Sequence, residues 1–83
     1  MKGTLVFVDY LTDVLTTVFK VTGTIDPAKS FQELEVDSLS LAELAAQLED
    51  EFNLTIEEEE LRPETTVLEV AEFLEARGAV LSA

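Results

Sequence analysis

An 83-residue chain holds one domain, and a domain of that size buries only about 60–65% of the surface its unfolded chain exposes, so its stability is modest. With no Cys, His or Trp it lacks disulfides, thiolate metal sites and the commonest general base, which argues against most hydrolytic and metal-dependent enzymes. Its net charge of −13 sets nucleic acid and anionic membranes aside as partners and favours a basic protein surface, while 47% hydrophobic residues are too many for a disordered chain.

The charge is uneven. In residues 1–29, Asp9, Asp13 and Asp26 are cancelled by Lys2, Lys20 and Lys29, so the whole imbalance lies beyond residue 30, opposed only by Arg62 and Arg77. The start, "MKGTLVFVDYL", is too short and too soon broken by Asp9 to read as a secretory signal, and no stretch is long enough to span a bilayer. The expectation is a cytoplasmic, unprocessed chain, with residues 1–83 forming a single domain.

The first element is ambiguous, because Val, Phe, Thr and Tyr favour strands. Val8, Leu11, Leu15, Val18 and Phe19 nevertheless recur at helical spacing and predict a helix over 4–20. The stretch "VTGTIDPAKSFQELEVD" is punctuated by Gly23, Pro27 and Ser30, with a turn at Asp26-Pro27. It is long for a featureless connection in so small a domain, so Ile25, Phe31 and Leu34 are expected to pin it to the core.

A second helix is expected over 38–52, capped by Asp37 or Ser38, with Ser40 and Glu43 as a capping box and Asn53 as the stop. Thr55 and Glu58 repeat the cap pattern before a short helix over 57–61, which Pro63 ends. Glu57 to Glu60 read as a solvated helix start favoured by the helix dipole. They lack the glycine-centred alternating ligands of an EF-hand. Thr66 with Glu69 forms a further capping box ahead of a last helix over 67–77, with Val67, Val70, Ala71 and Leu74 on one face and Gly78 closing it. Three longer helices and one short one make an all-α, small four-helix bundle.

On a wheel at about 100° per residue, Leu41, Leu44, Ala45, Leu48 and Phe52 form the core stripe of the second helix. The opposite side holds Leu39, Glu43, Ala46 and Asp50, with Ala42, Gln47 and Glu49 at its margins. Leu39 is thus an apolar residue projected outward and ringed by acids. An apolar centre with a charged edge has the character of a docking surface, although an ordinary solvated face also tolerates a single exposed Leu. Ser38 has no nearby base to activate it: Lys29 is the closest in sequence, so any reaction at its hydroxyl needs another protein. A phosphate ester there would suit the helix N-terminus, by about 0.3–1 kcal/mol, with Asp37 working against it.

"VDSLS" followed by "LAELAAQLEDEFNLTI" resembles the acyl carrier proteins of fatty acid and polyketide synthesis, whose hallmark is Asp-Ser-Leu at the head of the second helix. "IDPAKSFQEL", "LEDEF" and "LRPETTVLEVAEFL" extend the likeness over residues 25–77. The resemblance implies that Ser38, flanked by Asp37 and Leu39, carries phosphopantetheine, whose thiol would hold acyl groups as thioesters. It implies a non-catalytic, monomeric carrier, loaded by a phosphopantetheinyl transferase and visiting ketosynthases, acyltransferases or ligase-type enzymes through their basic patches. Leu39, Glu43, Ala46, Glu49 and Asp50 would be the docking residues. Leu41, Ala45 and Leu48 would line a sequestered acyl chain, although core packing explains them equally well. No metal site is implied.

Two positions depart from the family pattern. Glu35 stands where a Gly is usual, and Ser40 where an acid is frequent in fatty-acid carriers, which points to polyketide or specialised fatty acid synthesis. Peptidyl carriers of nonribosomal synthesis share the fold but have less acidic second helices. An unmodified acidic adaptor is the remaining alternative.

Overall fold

The computed structural model describes residues 2–79, with the side chains of Lys2, Gly3 and Glu58 outside that description. It contains α1 (Lys2–Thr17), α2 (Ser38–Phe52) and α3 (Val67–Ala76), and no strand among the described residues. The short helix expected over 57–61 is a single 3-10 turn, Glu58–Glu60, so the described residues form three α-helices rather than four. No helix among the described residues is long and apolar enough to cross a membrane.

Helix α1 stops three residues short of the expected end. Its last residues, Thr16 and Thr17, and Val18 just beyond them are β-branched and resist helical χ1 geometry, and Lys20 adopts φ 61, a left-handed value that turns the chain. The Val21 amide then donates to the Leu15 carbonyl at 2.9 Å and closes the end. The buried face is Phe7, Val8, Leu11, Val14 and Leu15. Val18, expected in that stripe, is exposed because the helix has ended before it, while Phe19 still packs against the core. Phe7 and Tyr10 both meet the ring of Phe52 edge-on, at 5.6 and 5.3 Å between centroids, so one aromatic at the end of α2 joins two turns of α1.

The long connection is pinned as expected. Ile25 and Phe31 are buried and Leu34 half-buried, and Val36 is an anchor that the residue pattern left unmarked. Asp26 makes the predicted turn by accepting from the amides of Ala28 and Lys29, both at 3.0 Å. Ser30 and Glu33 bond reciprocally, amide to carboxylate at 2.9 Å and amide to hydroxyl at 3.2 Å. The Phe31 amide reaches the Thr65 carbonyl at 3.0 Å, the Gln32 amide reaches Pro63 at 2.8 Å, and Ser30 pairs with Thr66 in an isolated antiparallel bridge. The orphan amide of Leu68 in the first turn of α3 is satisfied by Pro27 at 2.9 Å. The loop before α2 is therefore bonded to the turn before α3.

At the end of that loop Glu35 adopts φ 64, the left-handed region that costs a non-glycine residue roughly 1–2 kcal/mol. Its amide bonds Gln32 at 3.1 Å, which the required turn preserves whatever the side chain. Glu35→Gly is expected to raise the urea midpoint, by about 0.5–1 kcal/mol of stability once the greater freedom of the unfolded glycine is counted. A lower midpoint in the variant would show that the Glu35 side chain contributes more than its backbone strains.

Helix α3 packs most closely on α1 and buries Val67, Val70, Ala71 and Leu74, the four positions of the predicted face. The Thr66–Glu69 capping box forms with both bonds in place. The helix ends at Ala76, one residue early, where Gly78 at φ 78 turns the chain. The Thr55–Glu58 cap pattern depends on a Glu58 side chain outside the described ones.

Candidate functional site

Helix α2 begins at Ser38 because Asp37 caps it. Asp37 is extended (φ −81, ψ 177) and its carboxylate accepts from the Ser40 amide at 2.8 Å. The expected Ser40–Glu43 capping box does not form: the cap lies three residues earlier and already uses the Ser40 amide. Asn53, at φ 55, closes the other end in the left-handed conformation.

Two anchors fix the direction of Ser38. Val36, two residues before it, is buried and its amide bonds Phe31 at 2.9 Å; Leu41, three residues after it, is buried in the core. Ser38 itself is exposed, on the first helical residue, and its hydroxyl makes no hydrogen bond among the described residues. The first turn of α2 holds no acid, so Asp37 is the one carboxylate at the positive end of the dipole. The Ser40 amide holds the Asp37 carboxyl below the usual aspartate range. A group with a lowered folded pKa contributes its full cap above the unfolded value of about 3.9 and loses it as pH falls through the folded one. The Ser40 amide shift, followed by NMR, is expected to titrate with a midpoint below about 3.9; a midpoint at or above that value would remove the cap from the account.

A trough of about 440 Å³ opens from Ser38 along α2. Its floor is Leu41, Ala42, Ala45 and Ala46, and its far wall is Ile56, Leu61 and Pro63, with Glu49, Glu57 and Arg62 also lining it. Leu41 and Ala45 line this trough, whereas Leu48 is fully buried and outside it. A second, shallower space of about 500 Å³ lies on the other side of Ser38, between Gln32, Glu35, Val36, Pro63 and Glu64. The hydroxyl thus has free space on both flanks. An anionic ester at Ser38 Oγ fits: the oxygen is accessible, uncommitted, and placed at a helix N-terminus.

The outward face also matches expectation. Leu39 is 70% exposed, and Glu43, Ala46 and Asp50 are exposed beyond it. Glu49 is half-buried, and its carboxylate accepts from the Ile56 amide at 2.8 Å, so one oxygen tethers the trough's far wall to α2. The wheel showed Glu49 only as marginal to the acidic face; a bond to a residue seven positions on carries no periodic signal.

The sequence profile described as "Phosphopantetheine attachment site" matches residues 9–74. A segment of 57 residues is 42% identical to acyl carrier protein 2, chloroplastic, of Spinacia oleracea, covering 69% of this chain and 41% of that one. A segment of 52 residues is 40% identical to the meromycolate extension acyl carrier protein of Mycobacterium tuberculosis, covering 61% and 45%, and 38% identical to that of Mycolicibacterium aurum, covering 61% and 54%. The chain spans about half the length of the curated relatives it matches. No solved structure matches it. The profile covers the second half of α1, the whole of α2 and most of α3, with the exposed serine between its ends, and the chain belongs to the phosphopantetheine attachment site family, whose prosthetic group is covalent phosphopantetheine.

Proposed function

We propose that the chain is an acyl carrier, with Ser38 as the attachment residue and Asp37 and Leu39 as the flanking motif. The observation that carries this is the exposed, unbonded Ser38 at the head of α2, beside an apolar trough. The curated relatives named acyl carrier proteins support it. When attached, the arm supplies a thiol that holds acyl groups as thioesters. The chain's own residues present it and catalyse nothing. Loading forms an Oγ–P bond as the pyrophosphate bond of coenzyme A breaks and adenosine 3′,5′-bisphosphate leaves, and the serine proton must go to a base of the transferase. Asp37 is a poor candidate for that role, because its carboxyl is held low and committed to Ser40.

The exposed acids Glu43 and Asp50, with Leu39 and Ala46 between them, form a face suited to basic patches on ketosynthase-, acyltransferase- or ligase-type partners. One oxygen of Glu49 is taken by Ile56, which leaves it the smaller share of that docking. In this reading Leu41 and Ala45, which line the trough, would cover a short acyl chain. The reading favours polyketide or specialised fatty acid synthesis, since Ser40 stands where fatty-acid carriers tend to be acidic, and places the chain in the cytoplasm.

Incubation with coenzyme A and a phosphopantetheinyl transferase tests this. The intact mass is expected to rise by one phosphopantetheinyl group, and Ser38→Ala to show no rise. Glu43→Lys and Asp50→Lys are expected to slow loading several-fold at low salt and to flatten its salt dependence. No rise with several transferases would favour the unmodified adaptor, and salt-independent loading in the wild type would remove the docking face.

A further inference from the structure

Beyond residue 30 the chain has two cations, Arg62 and Arg77. Arg77 is engaged three ways: with the Thr55 carbonyl at 3.1 Å, with the Glu60 carboxylate, and over the Phe73 ring at 4.9 Å. Arg62 is held differently. Its backbone is locked in a turn, its amide donating to the Thr65 hydroxyl at 3.1 Å and its carbonyl accepting from the Thr65 amide at 3.0 Å. That turn is bonded to the loop preceding Ser38 through Pro63 to Gln32 and Thr65 to Phe31. Arg62 is among the residues lining the trough that begins at Ser38, and its side chain, 58% exposed, pairs among the described residues with Glu64, at 3.4 Å. An exposed pair of that kind contributes little and yields readily to a better partner.

We propose that Arg62 is a positioning residue for the prosthetic group, its guanidinium holding the phosphodiester oxygens at Ser38. The inference rests on Ser38 being the attachment residue. A phosphodiester there lies next to the ionised Asp37, in a molecule of net charge −13, with the Ser40 amide already spent on the cap. It needs a cation, and the planar guanidinium fork matches two phosphate oxygens where an ammonium offers a point charge. The locked turn confines the required movement to the Arg62 side chain. Fixing the phosphate restricts the arm's first torsions and leaves its thiol end to reach partners.

The test compares apo and phosphopantetheinylated protein by NMR, with intact mass confirming loading. In the wild type, loading is expected to shift the Arg62 Nε–Hε resonance and slow its exchange with water. The phosphodiester ³¹P signal of loaded Arg62→Gln is expected to differ from wild type and to coincide with it in about 1 M salt, where the Debye length is roughly 3 Å. Arg62→Lys should fall between the two, and Lys20→Gln, which lines neither space beside Ser38, should match wild type. Identical ³¹P signals in loaded wild type and Arg62→Gln at low salt would overturn the inference while leaving attachment intact. An equal change in Lys20→Gln would also overturn it, by showing a net-charge effect. Absence of the mass increase would overturn the attachment reading itself.

Discussion

Phe31→Ala is expected to lower the melting temperature by roughly 15 °C or more. The side chain is fully buried at the point where the long loop meets the helices. Truncating a buried Phe removes its transfer free energy and leaves a cavity, together about 3–5 kcal/mol. A chain of this length has of order 4–12 kcal/mol in all, so the loss is a large fraction, and in so small a domain each kcal/mol moves the midpoint by about 4–8 °C. The effect should reach the site, because Phe31 also holds the chain on both sides: its amide bonds Thr65 and its carbonyl accepts from Val36 at 2.9 Å. With the ring gone, the segment leading to Ser38 loses its anchor. Circular dichroism melts, with transferase rates measured below the transition, check both parts. A midpoint within a few degrees of wild type would show that the loop is held by its hydrogen bonds alone.

Arg77→Ala is expected to cost about 1–2 kcal/mol and to loosen the trough's far wall ahead of the rest of the molecule. Four consecutive acids, Glu57 to Glu60, repel one another there. Arg77 reaches from the end of α3 to Glu60 and to the Thr55 carbonyl, offsetting that repulsion and tying the 3-10 turn down. The pair is partly exposed, with the Arg77 side chain 37% and the Glu60 side chain 23% accessible, so the ionic part is discounted toward surface values. The hydrogen bond and the stacking on Phe73 supply most of the remainder. Hydrogen exchange should rise over residues 54–61 while the buried turns of α1 keep their protection, and Arg77→Lys should restore only part of the effect. A uniform rise in exchange across the chain would place Arg77 in the global stability instead of the wall.

How much of this was legible beforehand follows from the range of each interaction. Helix α2 was readable as about 38 to 52 because its evidence is local: a cap at Asp37 or Ser38, of which the structure uses Asp37, an i, i+3/i+4 apolar stripe, and an Asn that tolerates the left-handed stop. The Thr66–Glu69 box was readable for the same reason. The equivalent Ser30–Glu33 pair carried the same spacing and could have been found, but the punctuation around it read as loop. The overreach at α1 came from extending a periodic pattern through Val18, which is exposed, and Phe19, which packs against the core only after the helix has ended.

By itself, the order of residues determined three amphipathic helices, the start and stop of α2, the Thr66–Glu69 box and the acidic stretch beyond residue 30. Each depends on neighbours within about four positions along the chain, where backbone geometry dictates who meets whom. Only the tertiary structure decided that Glu49 would tether Ile56, that Arg77 would brace Glu60 and Thr55, that Arg62 would line the same trough as Ser38, and that Glu35 would take a left-handed turn. Those outcomes depend on how packed helices bring distant residues together, and periodicity contains no such distances.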